Sequence, residues 1–135
     1  MANELDDLFS TNESAEENGV WVDVSPKIKM KIRAFSAKAV TDLREQLTKP
    51  FRAMLRAGAE IPEAQDKEIG RKVIAGAVIA DWKGFTDAEG VEVRYSAEEA
   101  FAALTRLPKM ANFVIGISTD NAFYKEALED DGAKN

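Results

Sequence analysis

The sequence predicts an α+β fold that is mainly α: four or five helices with an N-terminal strand pair and a short internal β-hairpin. Three observations predict it. Residues 20–33 alternate apolar and polar side chains, as half-buried strands do. Most of the chain from 36 to 128 instead spaces its apolar residues by three and four, the period of one helix face. Within that region Thr86-Asp87-Ala88-Glu89-Gly90 has the composition of a turn, and Val91, Val93 and Tyr95 after it alternate with Glu92 and Arg94 as a strand does.

Residues 1–19 are rich in Asn, Asp, Glu and Ser, and are expected to form a flexible acidic tail. Leu5, Leu8 and Phe9 are its sizeable apolar side chains. They are candidate partner-binding residues, a short amphipathic anchor that folds onto another protein; the alternative is a solubilising tail. A globular domain is expected from 20 to 128. Val20, Val22 and Val24 share one strand face, with Trp21 and Asp23 on the other, and Ser25-Pro26 is a turn. Ile28, Met30 and Ile32 then alternate with Lys27, Lys29, Lys31 and Arg33. That row of cations reads either as a docking strip for an acidic partner or as an exposed strand whose lysines prevent edge-to-edge association.

From Ser36 a helical stripe runs through Val40, Leu43, Leu47, Phe51, Met54 and Leu55, with a kink or break expected at Pro50, which lacks a backbone donor. Gly58 is a stop. The next helix is predicted from about Pro62 to Trp82, and its second half, apolar almost all round, makes it the central helix of the domain. Gly70 and Gly76 each cost about 1 kcal/mol relative to alanine inside a helix, so a close helix crossing is expected at both. Gly84 ends the helix in a left-handed conformation, and the hairpin follows. Ser96 and Glu99 form a capping box for a helix to Leu107, with Phe101, Leu104 and Leu107 inward. Pro108 ends it. Met110, Phe113, Val114 and Ile117 continue at helical spacing, Phe123, Tyr124 and Leu128 form a last apolar set, and residues 129–135 read as a flexible acidic tail.

Composition excludes more than it suggests. The 135 residues contain no cysteine and no histidine, which removes thiol catalysis, disulfides, Ser-His dyads and most transition-metal sites. The balance of 18 basic against 24 acidic residues, a formal charge of -6, argues against a nucleic-acid partner, since affinity for phosphate backbones comes from clustered Lys and Arg. No apolar run approaches the roughly 20 residues of a membrane span. The acidic start Met1-Ala2-Asn3-Glu4 is unlike a signal peptide, so a cytoplasmic location is expected.

Asp81 is set in a strongly apolar run and is the one candidate for a perturbed acid; its other reading is a surface or turn-capping carboxylate. Asp87, Glu89 and Gly90 imitate part of a calcium loop, but Phe85 stands where an oxygen ligand is required. No phosphate-binding glycine motif is present. Neither catalytic residues, a metal site nor a cofactor is therefore expected, and the residues alone indicate an interaction domain.

The order apolar helix, Asp81-Trp82-Lys83-Gly84-Phe85, acidic turn with Gly90, Val91-x-Val93-x-Tyr95-Ser96, then an acidic helix start resembles the tail assembly chaperones of long-tailed bacteriophages. Trp82, Gly84, Gly90, Tyr95 and Ser96 are the matching positions, read as a structural corner, and the similarity extends from about Val20 to Phe123. The resemblance implies a protein that binds the tape measure protein, helps recruit tail tube protein, works in the host bacterial cytoplasm, self-associates and is absent from the mature virion. Met54, Phe113, Phe123 and Tyr124 become candidate residues of the client groove, with simple core packing as the alternative. The resemblance also implies a frameshifted longer product, and Ala133-Lys134-Asn135 can be encoded by a slippery GCA AAA AAC. The competing readings are a structural tail or head subunit, and an enzyme or small-ligand binder using Asp81.

Overall fold

The computed structural model describes residues 4–134, without the side chains of Asp7 and of residues 128–134. In chain order it forms α1 (Glu4–Phe9), α2 (Glu13–Asn18), β1 (Val20–Asp23), β2 (Lys29–Ile32) and α3 (Lys38–Thr48). A 3₁₀ turn at Lys49–Phe51 leads into α4 (Arg52–Arg56), and α5 (Glu63–Val73) passes through a π-helical turn at Ile74–Val78 into β3 (Ile79–Lys83). Three further helices follow, α6 (Ala97–Arg106), α7 (Pro108–Ser118) and α8 (Asn121–Lys134). The chain is thus mainly α with a small antiparallel sheet ordered β1-β2-β3. The expected strand pair and the break at Pro50 are present.

The largest difference from the sequence reading lies at residues 74–83. A helix was expected to run to Trp82 and stop at Gly84; instead it ends in the wider π turn, and Ile79–Lys83 joins the sheet as β3. The sheet makes this possible because Ile79 lies opposite Ile32 and Trp82 opposite Met30, so the apolar side chains of β3 enter the core beside those of β2. The buried helix end leaves carbonyls that water cannot reach, and they must find donors. The Tyr95 hydroxyl is placed 2.6 Å from the Ala75 carbonyl and 2.9 Å from that of Ile79, which share its single hydrogen. Arg33 meets two more: its backbone N–H donates to Val78 at 2.7 Å and its guanidinium to Ala77 at 2.8 Å. A cation at this end also complements the helix dipole.

β2 is the central strand, not an edge. Its outer face carries Lys29 and Lys31, but Lys31 sits between Trp21 and Asp81, and Lys29 between Asp23 and Lys83. The Lys29 ammonium lies 3.7 Å from the Asp23 carboxylate, and the Lys83 ammonium 4.4 Å from the Trp21 ring centroid. Within the row, Lys29 pairs with Asp23, Lys31 lies across from Asp81, and Arg33 turns inward to the Ala77 carbonyl.

Around the sheet, Ile69, Val73, Ile74 and Val78 pack on Val40, Ala100, Leu104 and Val114. Trp82, 5% exposed, is held from three sides. Its indole N–H donates to the Val93 carbonyl at 2.8 Å, Phe85 stacks on it at 4.0 Å and Tyr95 meets it edge-on at 5.4 Å. The hairpin beyond it is a turn closed by an isolated Thr86–Glu92 bridge. Asp87 Oδ1 accepts from the N–H groups of Glu89 and Val91, so that carboxylate serves its own loop. Gly84 has φ +82°, as anticipated for a left-handed position, but it ends a strand; a β-carbon there would collide with the Lys27 carbonyl oxygen. Ser96 Oγ accepts from Glu99 N–H at 3.0 Å and caps α6.

Several local expectations are corrected. Residues 13–18 belong to a docked helix. Asn12 is buried, accepts from Ala15 N–H and donates to the Tyr124 carbonyl at 3.0 Å, and the Glu17 carboxylate accepts from Lys38 N–H. Residues 129–134, expected as a tail, continue α8; the burial expected of Leu128 lies outside the described side chains. Val91 and Leu107 face solvent, while Ala100 and Ala103 fill the inner face of α6. A β-carbon on Gly70 would meet nothing within 4 Å, so no helix crosses there, whereas at Gly76 it would lie 3.1 Å from Leu43 Cδ2.

Urea unfolding tests this packing. Trp82→Ala is expected to cost about 3–5 kcal/mol, Arg33→Met about 1.5–3 kcal/mol because buried carbonyls lose a charged donor, and Ser96→Ala about 1 kcal/mol. Gly70→Ala is expected to stabilise by about 0.5–1 kcal/mol. An unchanged midpoint for Trp82→Ala would mean that the corner does not hold the core.

The two tyrosines provide a second test. Burial is the largest cause pushing Tyr95 above the ordinary tyrosine range, with Arg33 opposing and Asp81 adding. Burial likewise raises Tyr124, with Glu16 and Asp120 adding to it. A phenol whose folded value exceeds its unfolded value contributes stability that is complete below about pH 10 and lost as pH rises further. Phenolate absorbance is therefore expected to appear only together with loss of the helical circular dichroism signal. A phenolate titrating near pH 10 in an intact fold would contradict the burial.

Candidate functional site

The feature best suited to binding is a groove of about 440 Å³ between α3, the π turn and the start of α6, lined by Leu43, Leu47, Lys72, Gly76, Ala97, Glu98 and Phe101. Leu43 and Leu47 stand one helical turn apart on α3, while Val40 points into the core. Gly76 contributes no side chain and forms the floor. Opposite stands the first turn of α6, which Ser96 caps directly before Ala97, so the Trp82–Tyr95 corner sets where this wall stands.

Charges stay at the margin. The Lys72 ammonium lies 3.6 Å from the Glu68 carboxylate, one turn back on α5. The Arg71 guanidinium sits 5.8 Å from the Phe101 ring centroid and donates to Thr105 Oγ1 at 3.3 Å, which holds that ring in place. The groove is thus an apolar trough with one cation and one anion at its mouth. Its volume lies within the range of small-molecule sites and of anchor pockets for a partner's side chains. A second cleft, of about 350 Å³, lies where α2 meets the junction of α7 and α8, between Glu16, Phe35, Ser36, Ser118, Asn121 and Tyr124.

The residues singled out from the sequence are not gathered in one place. Leu5, Leu8 and Phe9 are exposed on α1, Met54 on α4 and Phe113 on α7. Phe123 is half-buried, edge-on to Tyr124 at 5.1 Å. Tyr124 is among the most buried side chains, and its hydroxyl donates to the Ile32 carbonyl at 3.1 Å; it is a core residue, because α8 closes over β2. None of these lines the 440 Å³ groove. Sequence reading placed Leu43, Leu47 and Phe101 in the core stripe and passed over Ala97. The available signal was Gly76, a helix glycine at which a β-carbon would meet Leu43 and Ala97.

Asp81 lies half-buried on the outer face of the sheet opposite Lys31, and its Oδ1 accepts the N–H of Trp82 at 2.8 Å. Among the described residues no group of three or more acids could hold a metal ion, and no helix is long and apolar enough to cross a membrane.

A family model described as YdaY prophage protein matches residues 35–135. The match covers well over half of the chain and the whole groove, so the chain belongs to that family and is phage-derived. No curated protein and no solved structure matches it.

Proposed function

We propose that this member of the YdaY prophage protein family is an assembly chaperone of the phage tail. In this reading it holds apolar helical stretches of a tape measure protein while tail tube protein is recruited, works in the host cytoplasm and is left out of the virion. The observation that carries the proposal is the trough between Leu43, Leu47, Gly76, Ala97 and Phe101. An amphipathic helix presents apolar side chains one turn apart, and such a groove accepts them without asking for a polar partner. The prophage family match and the sequence resemblance to tail chaperones support the same reading. The chain acts through this surface and not by catalysis. A second reading, a small apolar ligand in the same trough, is favoured only by its volume.

Co-expression distinguishes them. The wild-type chain is expected to raise the soluble fraction of the long helix-rich tail product encoded nearby. Ala97→Glu puts a carboxylate into the trough, yet sits on the first helical position, exposed, where an acid is tolerated. It is expected to fold normally and to weaken client binding about tenfold or more, the equivalent of roughly 1.4 kcal/mol. A client no more soluble with the wild-type chain than without it, or the chain found in purified virions, would overturn the proposal.

A further inference from the structure

The apolar stripe of α3 does not end with that helix. Leu43 and Leu47 line the trough, Phe51 follows one turn on and packs against the core, and Met54 and Leu55 come next at the same spacing of three and four. There the stripe leaves the core. Every residue from 52 to 60 is exposed, while Phe51 and Ile61 on either side pack against the core. α4 is therefore a five-residue projection whose Met54 and Leu55 are 38% and 44% exposed. A helix this short needs packing to persist in water, and methionine, unbranched and polarisable, suits a surface that adapts to a partner.

The charge on this projection has one sign. Lys49, Arg52 and Arg56 fall in a stretch from 46 to 59 without an acid. All three are exposed, and among the described residues none of them makes an ion pair. Asp42 and Glu45 border Lys49 and Arg52 on the α3 side, but Asp42 is paired with Lys38 at 2.7 Å. At the trough itself Lys72 and Glu98 stand for one charge of each sign, so the trough alone selects no charge.

We propose that the client helix of the trough runs on over α4 and is acidic there. Its apolar stripe covers Leu43 and Leu47 and then Met54 and Leu55, and Asp or Glu side chains beside that stripe face Lys49, Arg52 and Arg56. This rests on the trough reading and adds the length and charge of the segment held. At helical rise the stripe from Leu43 to Leu55 spans about 18 Å, so the segment is about twelve residues or longer. A nucleic acid or an anionic lipid surface feels the whole chain, whose formal charge is -6. A short segment feels mainly the charges within a Debye length of about 8–10 Å, which here are cations. Pairing at such an exposed rim acts on the choice of segment more than on affinity.

Fluorescence anisotropy on the full chain tests it, with two designed amphipathic helices of about sixteen residues that share one leucine stripe and carry a block of glutamates or of lysines at one end. The wild type is expected to bind the glutamate peptide about fivefold more tightly at low salt, against its own net charge, and to lose that margin at high salt. Arg52→Glu/Arg56→Glu is expected to reverse the preference with an unchanged circular dichroism spectrum, since both side chains are exposed. Ala97→Glu is expected to weaken both peptides. Equal affinity for the two peptides, or a preference that survives Arg52→Glu/Arg56→Glu, would overturn this inference while leaving the trough reading intact if Ala97→Glu still weakens both. No binding of either peptide, or binding indifferent to Ala97→Glu, would overturn the two together. Capture of phosphatidylglycerol vesicles that is lost in Arg52→Glu/Arg56→Glu would give the projection to a lipid surface and overturn the inference as well.

Discussion

A buried helix end is the constraint from which the rest of this structure follows. Where the central helix stops inside the core, the carbonyls of Ala75, Ala77, Val78 and Ile79 are met by the Tyr95 hydroxyl and by Arg33. Without those donors the chain could not turn from helix to strand in an apolar surrounding, because each orphaned carbonyl would cost about 1–3 kcal/mol. With them, Ile79 and Trp82 enter the sheet, Trp82 anchors the hairpin through Val93, and the hairpin delivers Ser96 to cap α6. Arg33 does further service through Nε, which donates to the Glu17 carbonyl at 3.0 Å and ties the N-terminal helix to the same point.

The trough is a by-product of that junction. Gly76 sits within the π turn, and π turns often mark functional positions because they re-aim the chain. Here the re-aimed segment leaves a floor without a side chain between the leucines of α3 and the first turn of α6. The sheet, by contrast, offers a polar outer face of Lys, Asp and Trp, with one ion pair between Lys29 and Asp23 and the Lys83 ammonium over the Trp21 ring. Partner binding in a phage-derived protein of this composition is therefore best sought on the helical side.

Much of the fold was legible because the relevant signals are local. Period-two alternation at 20–33, the proline at 50, the Ser96–Glu99 spacing and the Trp82–Gly90–Tyr95 corner each depend on neighbours within a few residues. β3 was not legible. Val73 to Trp82 is apolar almost throughout, and a continuous apolar run does not distinguish a buried helix from a buried strand; only the pairing with β2, some fifty residues away, decides it. The docking of Asn12 was hidden for the opposite reason, since a polar residue in an acidic stretch gives no hint that its amide will be buried against Tyr124. The trough was half visible: its leucines and Phe101 were recognised as apolar, but their facing one another across Gly76 is a tertiary fact.

The central claim is that this trough receives an apolar helix from another polypeptide. Its most direct test is to titrate the isotopically labelled chain with an amphipathic helical peptide from the neighbouring long tail product while recording amide shifts. The account predicts perturbations concentrated at Leu43, Leu47, Gly76, Ala97 and Phe101, with the outer sheet face around Lys29 and Asp81 unmoved. Shifts confined to that sheet face, or none at saturating peptide, would contradict it.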